Sequence, residues 1–206
     1  MLKFGRFLLW ILHPIVWLLF PFKAYGRENI PSADSGQPVI FCSNHVSLVD
    51  PVFMLMTQKR HVFFMAKAEL FGNPFTRFLF GKALGAFPVK RGTGDTGALD
   101  RAEEIVNSGR VLGIFPEGTR YRGGELGRAK SGAALIAAKT GALVVPICIS
   151  MKGQRLRLFR RTKVFFGTPM TAAELHLDNA EKPDLRFASR SMMERIRQML
   201  ESQQPV

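Results

Sequence analysis

The chain is predicted to fold as an α/β protein: a mixed, largely parallel central sheet covered by helices, preceded by a membrane-embedded helical segment. Three observations carry this. Short runs rich in Val, Ile and Phe alternate with helix-length stretches along the whole chain. The runs are apolar at nearly every position, as in strands covered on both faces. The first apolar stretch stands apart, longer and greasier than the rest.

That stretch, residues 7–22, reads FLLWILHPIVWLLFPF, with Lys3 and Arg6 before it and Lys23 and Arg27 after it. Sixteen helical residues reach about 24 Å, short of the roughly 30 Å hydrocarbon core of a bilayer. Cations on both flanks also disfavour crossing. Pro14 should break or kink the helix. Residues 1–26 are therefore expected to be an anchoring helix or short helical hairpin dipping into one leaflet, with Trp10 and Trp17 in the interfacial zone. Beyond it, residues 27–206 read as one domain. Strands are expected at 39–42, 61–65, 86–89, 111–115, 143–149 and 164–166. Helices are expected at 51–58, 70–84, 96–108, 129–140 and 185–200. Gly141 closes one of these helices, and Pro146 inside a strand suggests an edge or a bulge.

The chain has 206 residues, enough for one domain with a real core, and a formal net charge of +13. Residues 1–100 contribute +5 and 101–206 contribute +8, so no basic tail carries the excess. A protein this basic needs anionic company. Eighteen Phe against two Tyr, with no interleaved basic–aromatic motif, points to lipid and away from nucleic acid. Residues 152–163, KGQRLRLFRRTK, hold six cations and no acid. They read as a strip facing a membrane or an acyl carrier, or as a solvated strand. The two cysteines, Cys42 and Cys148, each sit in an apolar run; a disulfide framework is excluded and no Cys/His cluster has metal-binding spacing.

Three strings at predicted strand ends carry chemistry. Asn44-His45-Val46-Ser47-Leu48-Val49-Asp50-Pro51 follows the first strand of the domain, with Asp50-Pro51 as a helix start. His45 and Asp50 would lie about 140° apart on a continuous helix. They meet only if the strand-to-helix turn folds back. A carboxylate on one imidazole nitrogen would then fix the tautomer and leave the other nitrogen as a base; a capped turn with a hydrogen-bonded His is the plainer alternative. Phe115-Pro116-Glu117-Gly118-Thr119-Arg120 ends another strand, where Thr119 and Arg120 suit phosphate oxygens. Gly85-Ala86-Phe87-Pro88-Val89-Lys90-Arg91 ends a third and brings two more cations to the same sheet edge.

In this order and spacing the strings resemble the sequence blocks of the glycerolipid acyltransferases, most closely the bacterial 1-acylglycerol-3-phosphate acyltransferases. Asn44, His45 and Asp50 match the family's Asn-His-x4-Asp. Residues 85–91, ending at Arg91, are similar to its Gly-x-Phe-x-x-x-Arg. Residues 115–120 match its Phe-Pro-Glu-Gly-Thr-Arg without departure, and Pro146 lies in an apolar-Pro block. The resemblance runs from about residue 38 to 167. It implies acyl transfer from acyl-CoA or an acyl carrier protein to lysophosphatidic acid at an anionic membrane, on the cytoplasmic face of the cell's inner membrane, with no cofactor or metal. In that scheme His45 is the general base and Asp50 its partner. Arg91 and Arg120 hold the glycerol phosphate. Glu117, Gly118 and Thr119 shape the pocket, and Lys67 is a lesser phosphate candidate. The oxyanion donors are expected among the backbone N–H groups of the turn after His45. Another acceptor (glycerol 3-phosphate or an ornithine lysolipid) and a non-catalytic membrane binder are the rival readings.

Overall fold

A computed structural model of the chain describes residues 2–90, 95–121, 126–179 and 181–203. Seven strands form one sheet: β1 (Phe22–Tyr25), β2 (Val39–Ser43), β3 (Val62–Lys67), β4 (Ala86–Val89), β5 (Val111–Ile114), β6 (Leu143–Met151) and β7 (Thr162–Phe166), in the order β1-β7-β6-β2-β5-β3-β4. Strands β2 to β6 run parallel. β7 pairs antiparallel with β6, and β1 runs parallel to β7. The helices are α1 (Leu2–Leu19), α2 (Asp50–Met56), α3 (Pro74–Arg77), α4 (Thr96–Asn107), α5 (Gly132–Thr140) and α6 (Leu185–Glu201).

Successive strand residues point to opposite faces, and each face builds its own core. Ile40, Cys42, Leu112 and Val144 pack against α4, α5 and α6. Phe41, Val145, Ile147 and Ile149 pack against α2, with Leu9 and Val16 of α1 and Phe20 just beyond it laid over them. Both faces being covered explains why the central strands read as unbroken apolar runs. α4 is capped by Asp95, whose Oδ1 accepts the Ala98 N–H at 3.1 Å; α6 is capped by Asp184 through the Phe187 N–H at 2.8 Å. Ala188, Met192 and Ile196, spaced along one side of α6, are buried.

Two expectations are corrected, and two that left alternatives open are narrowed. The N-terminal segment is no hairpin: α1 runs from Leu2 to Leu19 with Pro14 inside it, since a proline removes one i to i−4 bond and the flanking turns hold. Residues 22–25, expected in the anchoring segment, form edge strand β1. The helix expected over 70–84 is divided: a 3₁₀ turn (Ala68–Phe71), then α3 from Pro74, then a π turn (Phe78–Ala83). Pro74 occupies the first turn of α3, the position a proline favours, and so marks a helix start within this stretch. Pro146 is not on an edge strand, because β6 lies between β2 and β7. The β7 ladder ends at Ile147 opposite Phe166, and the chain touches β6 again at Val144 opposite Met170. Pro146 sits in that gap, where its missing N–H breaks no ladder bond.

No described helix is long and apolar enough to cross a membrane. α1 nevertheless exposes Phe7, Trp10, Ile15, Trp17 and Leu18, and beside it Phe75, Phe78, Leu158 and Phe159 are exposed as well. Phe4 packs edge-on against Phe78, and the Phe159 N–H donates to the Leu19 carbonyl at 2.7 Å. These exposed apolar residues therefore gather around one helix on one side of the sheet.

Candidate active site

The parallel strands β2, β3, β4 and β5 end on the same sheet edge, where open α/β sheets bind their ligands. After β2 the chain is pinned by Asn44, which reaches across to β6. Its Nδ2 donates to the Ile149 carbonyl at 3.0 Å and its Oδ1 accepts the Ile149 N–H at 2.8 Å. The next four residues fold back over Asp50. Asp50 Oδ2 accepts the backbone N–H of Val46 at 2.7 Å and of Ser47 at 2.8 Å, and it lies 2.8 Å from His45 Nδ1. Asp50 Oδ1 accepts the Ser47 hydroxyl at 2.8 Å. Four donors thus compensate a carboxylate that is fully buried. With Nδ1 committed to Asp50, Nε2 is the ring nitrogen left for chemistry. This arrangement corrects one expectation: the N–H groups of Val46 and Ser47 are occupied by Asp50 and so do not serve as oxyanion donors.

The imidazole stacks on Phe115 with ring centroids 4.1 Å apart, and Phe115 stacks in turn on Phe64 at 6.2 Å. Gly113 makes room for this pile: a Cβ there would come within 2.4 Å of the Phe64 ring. After Phe115 the chain turns through Gly118, whose φ of +67° favours glycine and whose Cα is covered by the Lys130 side chain. Glu117 is buried beneath this turn. Its Oε1 accepts the His45 N–H at 2.9 Å and its Oε2 accepts the Gly127 N–H at 2.8 Å. Burial pushes its carboxyl above the ordinary range against the pull of those two bonds. Tyr121 then donates its N–H to the His45 carbonyl at 2.9 Å, closing the two turns against each other.

A cavity of about 470 Å³ opens beside the His45 ring. Lys67, Gly118, Thr119 and Arg120 line it with His45, so the structure brings these predicted residues to one place. Glu117 does not line the cavity; its part is to brace the turns around it. Lys67 also makes an exposed ion pair with Glu69 at 2.9 Å. Arg91 lies outside the described residues. Lys90 and Lys130 line the same cavity, as do Ser131 and Gly132 at the start of α5, an end of a helix that favours anions. Lys130, and Ser47 as the partner of Asp50, were not among the predicted site residues. The signal for Ser47 is its spacing three residues before Asp50; the signal for Lys130 is the family-like string Lys130-Ser131-Gly132, although only the fold brings its side chain over Gly118. The rest of the lining is apolar, including Leu48, Leu70, Phe80, Leu84 and Leu99. Cys42 and Cys148 are buried in the sheet; burial raises both thiols, Cys148 to about 12.

The site can thus hold an imidazole by one nitrogen, present the other to a hydroxyl, and place cations and an apolar wall within one cavity. Comparison with known proteins agrees with this chemistry. A sequence profile of the family described as Acyltransferase matches residues 21–150. The 1-acyl-sn-glycerol-3-phosphate acyltransferase of Bacillus subtilis is 32% identical over 183 residues, covering 86% of this chain and 87% of that protein. A chloroplastic 1-acyl-sn-glycerol-3-phosphate acyltransferase of Arabidopsis thaliana is 35% identical over 141 residues, covering 66% of this chain; the match spans only 38% of the plant protein's length. The crystal structure of the 1-acyl-sn-glycerophosphate acyltransferase PlsC from Thermotoga maritima superposes with a TM-score of 0.74 at 24% identity, covering 97% of this chain and 81% of that one. It shares the fold.

Proposed function

The chain belongs to the acyltransferase family, and on that premise we propose that it transfers a fatty acyl group from an acyl thioester to the sn-2 hydroxyl of 1-acylglycerol 3-phosphate, making phosphatidic acid. The observation that carries the reading is the 2.8 Å contact between His45 Nδ1 and Asp50 beside a cavity lined by cations and apolar side chains. The acceptor hydroxyl hydrogen-bonds to His45 Nε2. As its oxygen attacks the thioester carbonyl, His45 takes the proton and Asp50 steadies the imidazolium. Collapse of the tetrahedral intermediate breaks the C–S bond, and the departing thiolate takes the proton back from His45. A positioned general base supplies roughly 10²–10⁴-fold; holding the two substrates together supplies much of the remainder.

Arg120 and Lys130, with Lys67, hold the glycerol phosphate over the Gly118 turn; Arg91 is assigned to the same phosphate by its sequence block alone. Thr119 shapes that pocket from the cavity side and Glu117 from behind. The donor is acyl-CoA or an acyl carrier protein, and the reading needs no metal or prosthetic group. Helix α1 serves as the anchoring segment, and the chain from β1 onward serves as the catalytic domain. The exposed face of α1 lies in one leaflet on the cytoplasmic side of the inner membrane, with the cations of 152–163 against anionic headgroups.

Lysophosphatidate is preferred to an ornithine lysolipid because the cavity presents cations, which suit a phosphate. An assay of the purified protein with lysophosphatidate, glycerol 3-phosphate and an ornithine lysolipid tests this. Preference for either of the latter two overturns the acceptor. Membrane binding without acyl transfer overturns the enzyme.

A further inference from the structure

We propose that the groove along the outer face of α6 docks the acyl donor as a protein, the acidic surface of an acyl carrier protein whose thioester is delivered to His45. This rests on the acyl-transfer reading and deepens it. The groove, about 1280 Å³ and open, is lined by Arg128, Arg186, Arg190, Arg195 and Arg197. Its two acids, Glu174 and Glu194, leave a net charge of +3, and both are already engaged: Glu174 by the N–H and hydroxyl of Thr171, Glu194 by Arg197 and Gln198. Leu185, Phe187 and Met193 give it an apolar floor.

The groove adjoins the active-site cavity. Ser131 lines both the groove and the cavity beside His45, and Gly127 to Ala129, in the groove wall, run directly into Lys130. A carrier seated there has the catalytic cavity at its edge, within reach of a flexible prosthetic arm. Charge spacing selects the partner. Arg186, Arg190 and Arg197 fall within about 40° of one another around α6 and span about 16 Å along it. A nucleotide's phosphates call for cations converging on one point; a row this long matches carboxylates spread over a protein surface.

Orientation separates this groove from the membrane. α6 packs on the core with Ile40, Cys42 and Leu112, whereas α1 and its exposed apolar residues lie over the opposite face of the sheet. With α1 in lipid, the α6 groove faces water, where a soluble carrier arrives and a lipid headgroup does not.

The test compares acyl transfer from acyl carrier protein and from acyl-CoA by the full chain and by a double variant, Arg186→Glu with Arg190→Glu. Both positions are exposed, and an unchanged melting temperature confirms folding. The expected result is about a tenfold rise in KM for the carrier-linked donor, with kcat and the KM for acyl-CoA within about twofold, and loss of the salt dependence of the carrier reaction. Equal effects on both donors, or none on either, overturn the proposal. If the unmodified protein transfers from neither donor, the acyl-transfer reading fails, and docking is read directly by titrating labelled holo-carrier onto each protein. Binding weakened about tenfold in the variant supports docking; no binding, or equal weakening by Arg160→Glu with Arg161→Glu on the far strip, overturns it.

Discussion

Glu117 Oε1 accepts the backbone N–H of His45 at 2.9 Å, across 72 residues of chain. The carboxylate therefore sets where the catalytic turn sits, and its other oxygen fixes Gly127 at the far lip. Replacement by Gln puts an N–H donor against one of these donors. Glu117→Gln is expected to lower stability by about 1–3 kcal/mol and to reduce kcat more than KM, measured by thermal melting and steady-state kinetics.

The same residue makes stability depend on pH. Because burial raises its pKa, the folded chain binds this proton more tightly than the unfolded chain, whose ordinary value is 4.5. Its stabilising contribution is complete below 4.5 and is lost as pH rises through the higher folded value. Melting temperature should fall less steeply across that window in Glu117→Gln than in the unmodified protein. An identical slope in both contradicts the assignment.

Asp50→Asn keeps the size of the side chain and removes the charge that orients His45. A fall in kcat of roughly 10²–10⁴-fold is expected with little change in KM for either substrate. The loss of a fully buried acceptor of four donors should also lower stability by about 2–3 kcal/mol. Activity within a few fold of normal would remove Asp50 from the mechanism.

At Gly118 a Cβ would lie 3.0 Å from the end of the Lys130 side chain, on a backbone that ordinary residues avoid. Gly118→Ala should lower stability by about 1 kcal/mol or more and displace Lys130, raising the KM for lysophosphatidate. Arg120→Ala should raise that KM about tenfold, with the donor KM little changed, if it holds the phosphate. A greater effect on the donor would reassign it.

Both thiols are buried, so the native protein should resist a thiol-modifying reagent until it unfolds. Modification should track the denaturation curve, and Cys148→Ala should transfer acyl groups at a normal rate. Rapid labelling at neutral pH would show that the sheet opens.

The two tryptophans of the chain, Trp10 and Trp17, are 74% and 51% exposed on α1. Intrinsic tryptophan fluorescence therefore reports this helix alone. It should shift to the blue on addition of anionic vesicles, and Trp10→Ser should weaken partitioning by about 10–100-fold. No spectral change with vesicles would remove α1 from the membrane.

Much of the fold was legible because parallel strands covered on both faces must be apolar at every position, as residues 39–42 and 111–114 are. The meeting of His45 with Asp50 was legible as a condition, a turn folding back, because five residues of helix keep them apart. Strand β1 was hidden: Phe22-Lys23-Ala24-Tyr25 has four residues and draws its order from β7, 140 residues away. Residues 70–84 carry helical spacing, yet Pro74 and packing against β3 and β4 divide them. Glu117 read as a ligand from its motif, and its two backbone bonds depend on Gly127 and His45, whose positions only the assembled fold supplies.

The pairing of Phe22 with Thr162 also orders events during synthesis. β1 has no strand to join until β7 has left the ribosome, whereas α1 emerges long before β7, already carrying its aromatic surface. Closing of this sheet edge therefore waits for β7, which leaves α1 time to reach the proposed bilayer before the edge forms. Pulse-labelled hydrogen exchange should find the amide of Ala24 among the last to be protected; early protection there would reverse that order.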